Sequence, residues 1–240
     1  MKIVAIIQAR LGSQRLPGKV LKPLMDKTVL AHVIGRVSQS QKIDQIIVAT
    51  SELPQDDLIE LEALACDVTV FRGDEQDVLS RYYGAALREK ADVVVRITSD
   101  CPLIDSEVID RVIGDFQSNE VDFASNCIER SYPRGLDTEV VTFKALQAAH
   151  ENAYTPEHRE HVTQYIYQNP QKFQLLSIVN KEAKSSHRWT LDTPEDWLLI
   201  QEIYKHIYVP GQYFNWLEAL KLVEAFPEIS LLNENVEQKR

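Results

Sequence analysis

Residues 92–98 read DVVVRIT, a β-branched run of the kind that forms a strand buried on both faces of a sheet. Similar apolar runs occupy residues 3–7, 43–50 and 67–71. Amphipathic segments with helical spacing separate and follow these runs, at residues 29–38, 55–65, 77–88 and 106–116. Apolar strands that alternate with helical segments of about 10–12 residues are typical of βαβ units. The sequence therefore predicts an α/β fold with a mainly parallel sheet covered by helices on both faces.

The second half of the chain is less regular. Strand-like runs occupy residues 138–143 and 173–179, and helical patterns occupy residues 144–152, 156–168 and 194–207. The last pattern begins at Pro194, and Thr193 before it is a suitable N-cap for what we predict to be the final helix. Because no repeat or linker interrupts the chain, we predict one domain over residues 1–240, with a frayed polar tail at 235–240.

The charge balance and the cysteines exclude several classes of protein. The 240 residues carry 26 basic and 36 acidic side chains, and a formal net charge of −10 disfavours general binding to a nucleic-acid backbone. Cys66, Cys101 and Cys127 are too widely spaced for a disulfide framework or a CxxC metal module. The N-terminal apolar run is too short for a signal peptide, and no stretch of about 20 apolar residues follows. We expect a soluble, cytoplasmic protein without nucleic-acid or membrane partners.

A basic loop with glycines follows the first predicted strand. Residues 8–19 read QARLGSQRLPGK and hold two glycines and three cations: Gly12, Gly18, Arg10, Arg15 and Lys19. In open α/β sheets ligands bind at the carboxyl ends of strands, where the N–H groups of such loops can close around phosphate oxygens. The glycine spacing differs from that of a Walker A motif, and Val20 replaces its Ser or Thr. We favour a phosphate cradle of another kind over an ordinary basic surface loop.

Two aspartates follow later segments of the chain. Asp100 comes directly after the 92–98 strand, and Asp192 comes shortly before the 194–207 helix. Mg²⁺ takes one or two carboxylates together with phosphate oxygens, so two aspartates at separate strand ends could converge on one ion. Each aspartate could instead cap the helix that follows it. The residues by themselves leave both interpretations open.

Six segments together resemble a known family: QARLGSQRLPGK, FRGDEQDVLSRYY, RITSDCPLID, YPRGLDTEV, REHVTQYIY and TLDTPEDW. They are similar to segments of the cytidylyltransferases that activate acidic sugars, and in particular to the branch of the spore coat polysaccharide biosynthesis proteins. The resemblance runs from residue 2 to about residue 207. It implies the three-layer α/β/α, Rossmann-like fold of nucleotide-diphosphosugar transferases. It also implies transfer of CMP from CTP to a sugar, with release of pyrophosphate and with Mg²⁺ as cofactor.

Matched position by position, the resemblance assigns roles to individual residues. It places the CTP-binding groups at Arg10, Gly12, Ser13, Arg15, Lys19 and Arg72. It places the metal-binding carboxylates at Asp100 and Asp192, which with Lys19 and Arg10 form the implied catalytic set. Sialic acid members carry an aspartate where this chain has Thr190, so sialic acid is not assumed as the substrate. Members are commonly dimers, and we expect a homodimer, with Phe214, Trp216 and Leu217 as candidate contacts.

Several weaker signals fall in the second half of the chain. Arg134 and Asp137 belong to the segment where this fold usually binds the acceptor, although Pro133 and Gly135 there are equally consistent with a structural turn. His158 and His161 are spaced to share one helix face; they could line the sugar site or a dimer contact, or bind a metal. Two further residues, His187 and Arg188, could reach the phosphates or belong to a solvated strand end.

Two other functions remain to be distinguished from CMP transfer. A glycosyltransferase of the same fold would hold the diphosphate of a nucleotide sugar against a metal on Asp100. Such enzymes usually carry a DxD motif, which is absent at the end of the 92–98 strand, and do not need the cationic RLPGK loop. A catalytically silent binding subunit would not need the combination of Arg10, Arg15, Lys19, Asp100 and Asp192.

Overall fold

The computed structural model describes residues 1–237 and contains one large sheet and one small ribbon. The strands in chain order are β1 Ile3–Gln8, β2 Pro23–Leu24, β3 Lys27–Thr28, β4 Gln45–Ser51, β5 Thr69–Gly73, β6 Val93–Thr98, β7 Phe123–Ser125, β8 Glu139–Thr142 and β9 Leu175–Ser177. The large sheet has the order β5-β4-β1-β6-β8-β7-β9, and β2 pairs with β3 in the ribbon. The strands β5, β4, β1 and β6 are parallel, whereas β8 runs antiparallel to both β6 and β7.

The strand order creates a crevice beside β1. From β1 the chain moves outward to β4 and β5, and it then returns to place β6 against the other edge of β1. The loops that leave the carboxyl ends of β1 and β6 therefore lead in opposite directions, and ligands of open α/β sheets bind where this reversal occurs. Residues 9–18 and 99–105 are these two loops.

Helices cover both faces of the sheet and make the fold a three-layer α/β/α sandwich. They are α1 Val29–Val37, α2 Asp57–Ala65, α3 Val78–Arg88, α4 Ser106–Gln117, α5 Phe143–Asn152, α6 Pro156–Glu160, α7 Gln164–Tyr167, α8 Pro194–Ile207, α9 Trp216–Ala225 and α10 Pro227–Leu231. Side chains of β1 alternate between the layers: Ile3, Ala5 and Ile7 pack with α1, α2 and α4. Val4 and Ile6 pack with α3, α5 and α7.

A third apolar cluster lies beside the crevice. It joins α8 and α9 to the start of α1 and to the segments around Leu103, Leu136 and Trp189. Trp189 is fully buried at 0 % exposure, which anchors the segment that leads to α8. Phe214 and Trp216 belong to this cluster and are 7 % exposed, so the chain's own core buries two of the three candidate dimer contacts.

The predicted parallel sheet, its helices on both faces and the N-cap at Thr193 are confirmed. The second half differs in three places. The single helix expected over 156–168 is divided into α6 and α7, because Val162 between them has φ 47° and is fully buried. The helix at 194–207 is not the last, since α9 and α10 follow, and the short strand β7 was not predicted. Of the frayed tail expected at 235–240, residue 235 lies in a turn, residues 236–237 have no regular secondary structure, and residues 238–240 lie outside the described part.

Among residues 1–237, the helices are all too short or too polar to cross a membrane.

Candidate active site

The loops around the crevice bring two aspartates together. The backbone N–H of Leu191 donates to the carbonyl oxygen of Asp100 over 2.8 Å and joins the loop after β6 to the segment before α8. The side chain of Asp105, rather than Asp100, caps α4 by accepting two backbone N–H groups. The N-cap of α8 is Thr193. The carboxylates of Asp100 and Asp192 are therefore not used as helix caps.

Both carboxylates contact the ammonium group of Lys19. Its Nζ lies 2.7 Å from Asp100 Oδ2 and 2.8 Å from Asp192 Oδ1, and the lysine side chain is 11 % exposed. Lys19 begins a short 3₁₀ turn that Gly18 precedes in a left-handed conformation with φ 66°. Glycine adopts that conformation without steric cost, so Gly18 sets the direction in which the chain enters the turn. We call Lys19, Asp100 and Asp192 the Lys19 cluster.

The charges of the Lys19 cluster stabilise one another. Burial opposes the charge of Lys19, but the two carboxylates outweigh it and raise the pKa of the ammonium group. Burial likewise opposes the charge of Asp100, but the Lys19 ammonium and hydrogen bonds from Lys19 and Thr98 lower the pKa of the carboxyl group. Lys19 and Asp100 are consequently both charged near neutral pH.

Two arginines approach the second oxygen of Asp192. Arg15 Nη2 lies 3.2 Å from Asp192 Oδ2, and Arg188 Nη2 lies 2.9 Å from the same atom. Arg188 also donates to both carboxylate oxygens of Asp196, over 2.9 Å from Nε and 3.1 Å from Nη2. Asp196 is fully buried, and Asn233 Nδ2 donates to its Oδ1 over 2.8 Å. Arg188, which is 8 % exposed, thus belongs to a buried network that positions Asp192 rather than to a solvated strand end.

A buried carboxylate braces the loop at residues 9–18, which we call the phosphate loop after the role predicted for it. The backbone N–H of Leu11 donates to Asp56 Oδ1 over 2.9 Å, and Ser51 Oγ donates to Asp56 Oδ2. Asp56 is fully buried. A Cβ atom on Gly12 would lie 2.8 Å from Glu75 Oε1, so the glycine lets the loop approach the segment after β5. The loop is therefore fixed at its base while Gly12 itself is exposed.

Arg10 and Ser13 lie on this loop outside the Lys19 cluster. Arg10 forms long ion pairs with Glu75 at 3.9 Å and with Glu160 of α6 at 3.7 Å, and its side chain is 40 % exposed. Ser13 Oγ accepts a long hydrogen bond from the backbone N–H of Leu16. Both contacts are weak enough for an anion to replace them.

Arg72 stands at the carboxyl end of β5, but its guanidinium group turns toward α2. It donates to Asp57 over 2.6 Å and to Glu60 over 2.8 Å. It also donates to the carbonyl oxygens of Ser51 and Leu53. The structure therefore ties Arg72 to α2 and the segment before it, and its hydrogen bonds do not reach the Lys19 cluster.

Three polar side chains near the same sheet edge keep buried atoms without a hydrogen-bond partner among the described residues. These atoms are Gln8 Oε1, Thr50 Oγ1, and Arg81 Nε and Nη1. Gln8 and Thr50 end the adjacent strands β1 and β4, and Arg81 of α3 is 2 % exposed beneath Gly73. Buried polar atoms without partners are rare in native proteins and often mark sites that a ligand completes. Sequence reasoning missed all three, although Arg81 lies within the FRGDEQDVLSRYY segment.

The candidate acceptor segment lies against the strand that leads to α8. Arg134 pairs with the backbone on both sides of Arg188: its N–H donates to His187, and its carbonyl oxygen accepts from Trp189 over 2.7 Å. Gly135 has φ 102°, and a Cβ there would lie 2.7 Å from the Trp189 carbonyl group. Gly135 is therefore required for this close approach. Its role in the turn does not exclude binding by Arg134, so both interpretations of the segment stand.

The two acidic residues of this segment already have arginine partners. Arg130 forms a two-point ion pair with Asp137, at 3.0 and 2.9 Å. Arg96 of β6 donates to Glu139 of β8 over 2.9 Å. No hydrogen bond or ion pair of the Arg134 guanidinium group is present among the described residues. Burial, followed by the nearby charge of Arg130, lowers the pKa of Arg134.

The two histidines of the REHVTQYIY region stand apart from the Lys19 cluster. His158 Nε2 lies 2.8 Å from Gln168 Oε1, and its ring packs edge-on against Tyr165. His161 is exposed at the end of α6. Within residues 1–237, no group of three or more His, Cys, Asp or Glu side chains is arranged to hold a metal ion. The histidines are therefore not part of such a group.

The Lys19 cluster nevertheless fits a magnesium site in which the substrate would supply the remaining ligands. Its two carboxylates both contact one cationic nitrogen, at 2.7 and 2.8 Å. Carboxylate oxygens are the ligands that Mg²⁺ prefers, and this ion is often bound by one or two carboxylates plus phosphates and water. Two protein carboxylates would therefore suffice once a nucleotide supplies phosphate oxygens.

Comparison with known proteins decides between the possible families. The family model described as Cytidylyltransferase matches residues 4–234, almost the whole chain. This chain belongs to the cytidylyltransferase family. The family carries nucleotidyl transfer as its activity, and the resemblance inferred from the six sequence segments is confirmed.

Individual relatives agree with this assignment. The chain is 39% identical over 241 residues to the uncharacterized protein MJ1063 of Methanocaldococcus jannaschii, covering 100% of this chain and 97% of that protein. It is 34% identical over 212 residues to the spore coat polysaccharide biosynthesis protein SpsF of Bacillus subtilis, covering 85% and 86%. The structure of a cytidylyltransferase from Leptospira borgpetersenii superposes with a TM-score of 0.92 and 33% identity, covering 100% of both chains.

Proposed function

We propose that this cytidylyltransferase transfers CMP from CTP to an acidic sugar, releases pyrophosphate, and serves the synthesis of a surface or spore polysaccharide. The observation that carries the proposal is the Lys19 cluster beside a braced, glycine-containing loop with two further cations, Arg10 and Arg15. This arrangement offers cations for a triphosphate and carboxylates for a divalent ion at one point. We place the protein in the cytoplasm and treat residues 1–240 as one domain.

The phosphate loop supplies most of the charge for binding CTP. We assign the triphosphate to Arg10, Gly12, Ser13, Arg15 and Lys19. Charge-assisted hydrogen bonds to phosphate are strong, and the long Arg10 ion pairs to Glu75 and Glu160 can be exchanged for phosphate contacts at low cost. Arg72 would need to leave its partners on α2 to join them, so we give it a supporting role at the pocket edge.

The chain contributes to this reaction mainly by positioning the substrates and by neutralising the charge of the phosphates. A sugar hydroxyl attacks the α-phosphorus in line with the departing pyrophosphate, the new P–O bond forming as the bond to pyrophosphate breaks, and the hydroxyl proton passes to solvent or to the carboxylate of Asp100 or Asp192. Lys19, Arg10 and Arg15 offset the negative charge that accumulates on pyrophosphate. Asp100 and Asp192 would hold Mg²⁺, which supplies Lewis acidity when bound. No covalent enzyme intermediate is needed, and burial raises the pKa of the Cys101 thiol beside Asp100, which keeps it protonated.

The unpartnered atoms near β1 support a pyrimidine base as the ligand. Cytosine presents an amino group that donates hydrogen bonds and ring atoms that accept them. Gln8 Oε1 is a buried acceptor, and Arg81 Nε and Nη1 are buried donors, none with a partner among residues 1–237. We assign the base to these two side chains.

The acceptor side of the site fits a ligand with a carboxylate group. Arg134 is partly buried and its guanidinium group is not paired with an acid among the described residues, whereas Asp137 is already neutralised by Arg130. We assign the sugar carboxylate to Arg134, and we place Asp137, His158 and His161 around the sugar. We also propose a homodimer, for which Leu217 remains an exposed candidate contact.

The test measures pyrophosphate release with Mg²⁺ from CTP, UTP, ATP and GTP across a panel of acidic and neutral sugars. We expect release with CTP and an acidic sugar, and a loss of about 100-fold or more in kcat/KM for Lys19→Met, because a transition-state charge contact is removed. Lys22→Met is the matched control: the Lys22 ammonium lies 5.0 Å above the Trp197 ring and touches no carboxylate of the cluster.

Thermal unfolding with each ligand separates the alternatives before the sugar is known. A ligand at about 100 times its dissociation constant adds roughly 2.7 kcal/mol of stability. A selective increase in Tm with CTP and Mg²⁺ supports the proposal. An increase only with a nucleotide sugar would contradict it and favour the glycosyltransferase of the same fold. No increase with any nucleotide would favour a silent subunit.

A further inference from the structure

The Lys19 ammonium occupies the position between two carboxylates that a divalent cation would need. Nζ bonds one oxygen of Asp100 and one oxygen of Asp192, over 2.7 and 2.8 Å. The remaining oxygen of Asp192 is engaged separately by Arg15 and Arg188. The position for which the ammonium group and a divalent cation would compete is thus defined by Asp100 Oδ2 and Asp192 Oδ1.

The ammonium group and a divalent cation cannot both lie between Asp100 Oδ2 and Asp192 Oδ1, because Mg²⁺ would have to lie about 2.1 Å from each oxygen, where Nζ now lies at 2.7 and 2.8 Å. If a phosphate draws Nζ away from the carboxylates, the two carboxylates then face each other with less positive charge between them. Two such carboxylates bind a divalent cation well, because a 2+ ion replaces a single charge. While Lys19 stays in place, its ammonium group occupies the position between the two carboxylates, and its charge already stabilises them.

We propose that Lys19 is a place-holder that keeps the metal position closed until a nucleoside triphosphate draws its ammonium group away. The proposal rests on the proposed function for the identity of the nucleotide. Its consequence is that metal and nucleotide bind cooperatively. A bound nucleotide weakens the contact between Lys19 and the carboxylates, which opposes metal binding. A bound metal displaces Lys19 from the carboxylates and so leaves its ammonium group available for a phosphate. The free chain binds divalent ions poorly, although it contains the two carboxylates.

The surroundings of Lys19 permit this exchange. Lys19 lies on a single 3₁₀ turn after Gly18, and its four-carbon side chain can reorient without moving a long helix. Arg188 stays paired with Asp196 behind Asp192, so the carboxylate keeps its position when the ammonium leaves. Only the side chain of Lys19 needs to move.

The test is binding of Mn²⁺ alone, measured from the electron paramagnetic resonance signal of the free ion at pH 8 without nucleotide. Lys19→Met keeps the length of the side chain and removes its charge. We expect it to bind Mn²⁺ about tenfold or more tightly than the unchanged protein, a coupling of ordinary size. Lys22→Met should bind like the unchanged protein. Equal or weaker binding by a folded Lys19→Met variant would overturn the proposal.

Two further variants test whether the Mn²⁺ affinity gained in Lys19→Met belongs to the position between Asp100 and Asp192. Lys19→Arg retains a cation and should show no gain in Mn²⁺ affinity. The double variant Lys19→Met/Asp100→Asn should lose the gain, and a gain that survives there would place the ion elsewhere and contradict the proposal. Because none of these measurements uses CTP or a sugar, their failure is distinguishable from failure of the pyrophosphate-release test.

Discussion

The backbone N–H of Leu191 donates to the carbonyl oxygen of Asp100 over 2.8 Å. This single bond joins the loop after the central strand β6 to the segment that enters α8. The side chains of Asp100 and Asp192 consequently meet at Lys19, although they are far apart in the sequence. The position of the two carboxylates is set by backbone contacts and by the buried residues behind them.

Asp196→Asn should destabilise the protein and weaken metal and nucleotide binding. Asp196 is fully buried and pairs with Arg188, so its neutralisation removes one of the two counter-charges of a buried guanidinium and leaves only Asp192. Removing one member of a buried pair costs about 3 kcal/mol or more, which lowers Tm by roughly 6–12 °C in a chain of this length. Glu195→Gln, in the same first turn but exposed, is the control and should change Tm little. Equal Tm values for the two variants would show that the pair does not support α8.

Gly135→Ala should be more damaging than Gly211→Ala. Both glycines have positive φ, 102° and 80°, so each substitution forces an L-residue into a strained conformation. At Gly211 no atom lies within 4 Å of the new Cβ, and we expect a cost of about 1 kcal/mol. At Gly135 the Cβ also meets the Trp189 carbonyl group at 2.7 Å, and the cost should exceed about 2 kcal/mol.

Urea unfolding of the two glycine variants measures this difference. A loss of CTP binding in Gly135→Ala would additionally show that the Arg134–Trp189 contact supports the site. Similar unfolding free energies for both variants would mean that the segment relaxes and that the close approach is not required.

Stability should fall as the pH is lowered below about 6.5. Burial of His32 lowers its pKa from the usual 6.5, although its hydrogen bond to the Leu24 carbonyl opposes this. The unfolded chain therefore takes up the proton first, so the stability due to neutral His32 is complete above pH 6.5 and is lost as the pH falls toward the folded-state pKa. His32→Gln, which can still donate to Leu24, should flatten the dependence of Tm on pH between 7.5 and 5.5. An unchanged dependence of Tm on pH in His32→Gln would contradict this account.

Gln8→Leu should raise KM for CTP without destabilising the fold. The Oε1 atom of Gln8 is buried without a partner among the described residues, so removing it takes away no internal hydrogen bond at that atom. Loss of one hydrogen bond to the base predicts an increase in KM of about 3- to 10-fold. Steady-state kinetics and Tm are the two measurements, and Gln41→Leu at an exposed turn is the control. An unchanged KM would remove Gln8 from the base pocket.

The parts of the fold that could be predicted from the sequence are those decided by local pattern. The runs at 3–7 and 92–98 become β1 and β6 because apolar β-branched residues are buried on both faces of a parallel sheet. Thr193 caps α8 because its hydroxyl accepts the N–H of a residue three positions later. The strand-end rule also directs attention to the loop after β1, which leads to Lys19, and to Asp100 after β6, since it depends only on topology. The sequence predicts Asp192 at a strand end as well, but it follows no strand of the sheet.

The remainder depends on contacts between distant residues. Val162 interrupts the helix expected at 156–168 with φ 47°, a conformation that its branched side chain disfavours. It is held there by complete burial and by the neighbouring Thr163 hydroxyl, which donates to Glu139 of β8. The network of Arg188, Asp196 and Asn233 has no local signature either, because its members become neighbours only when α10 packs against α8.

Asn233 supports the candidate active site although it is far from Lys19 in the sequence. Its amide group donates to the Asp196 carboxylate and to the Arg188 carbonyl oxygen, over 2.8 and 2.9 Å. During translation, Lys19 and the loop around it leave the ribosome long before Asn233 does. The nascent chain can therefore form β1, β4 and β6 while the support behind Asp192 is still missing. The support behind Asp192 is therefore complete only after the chain has been made as far as Asn233.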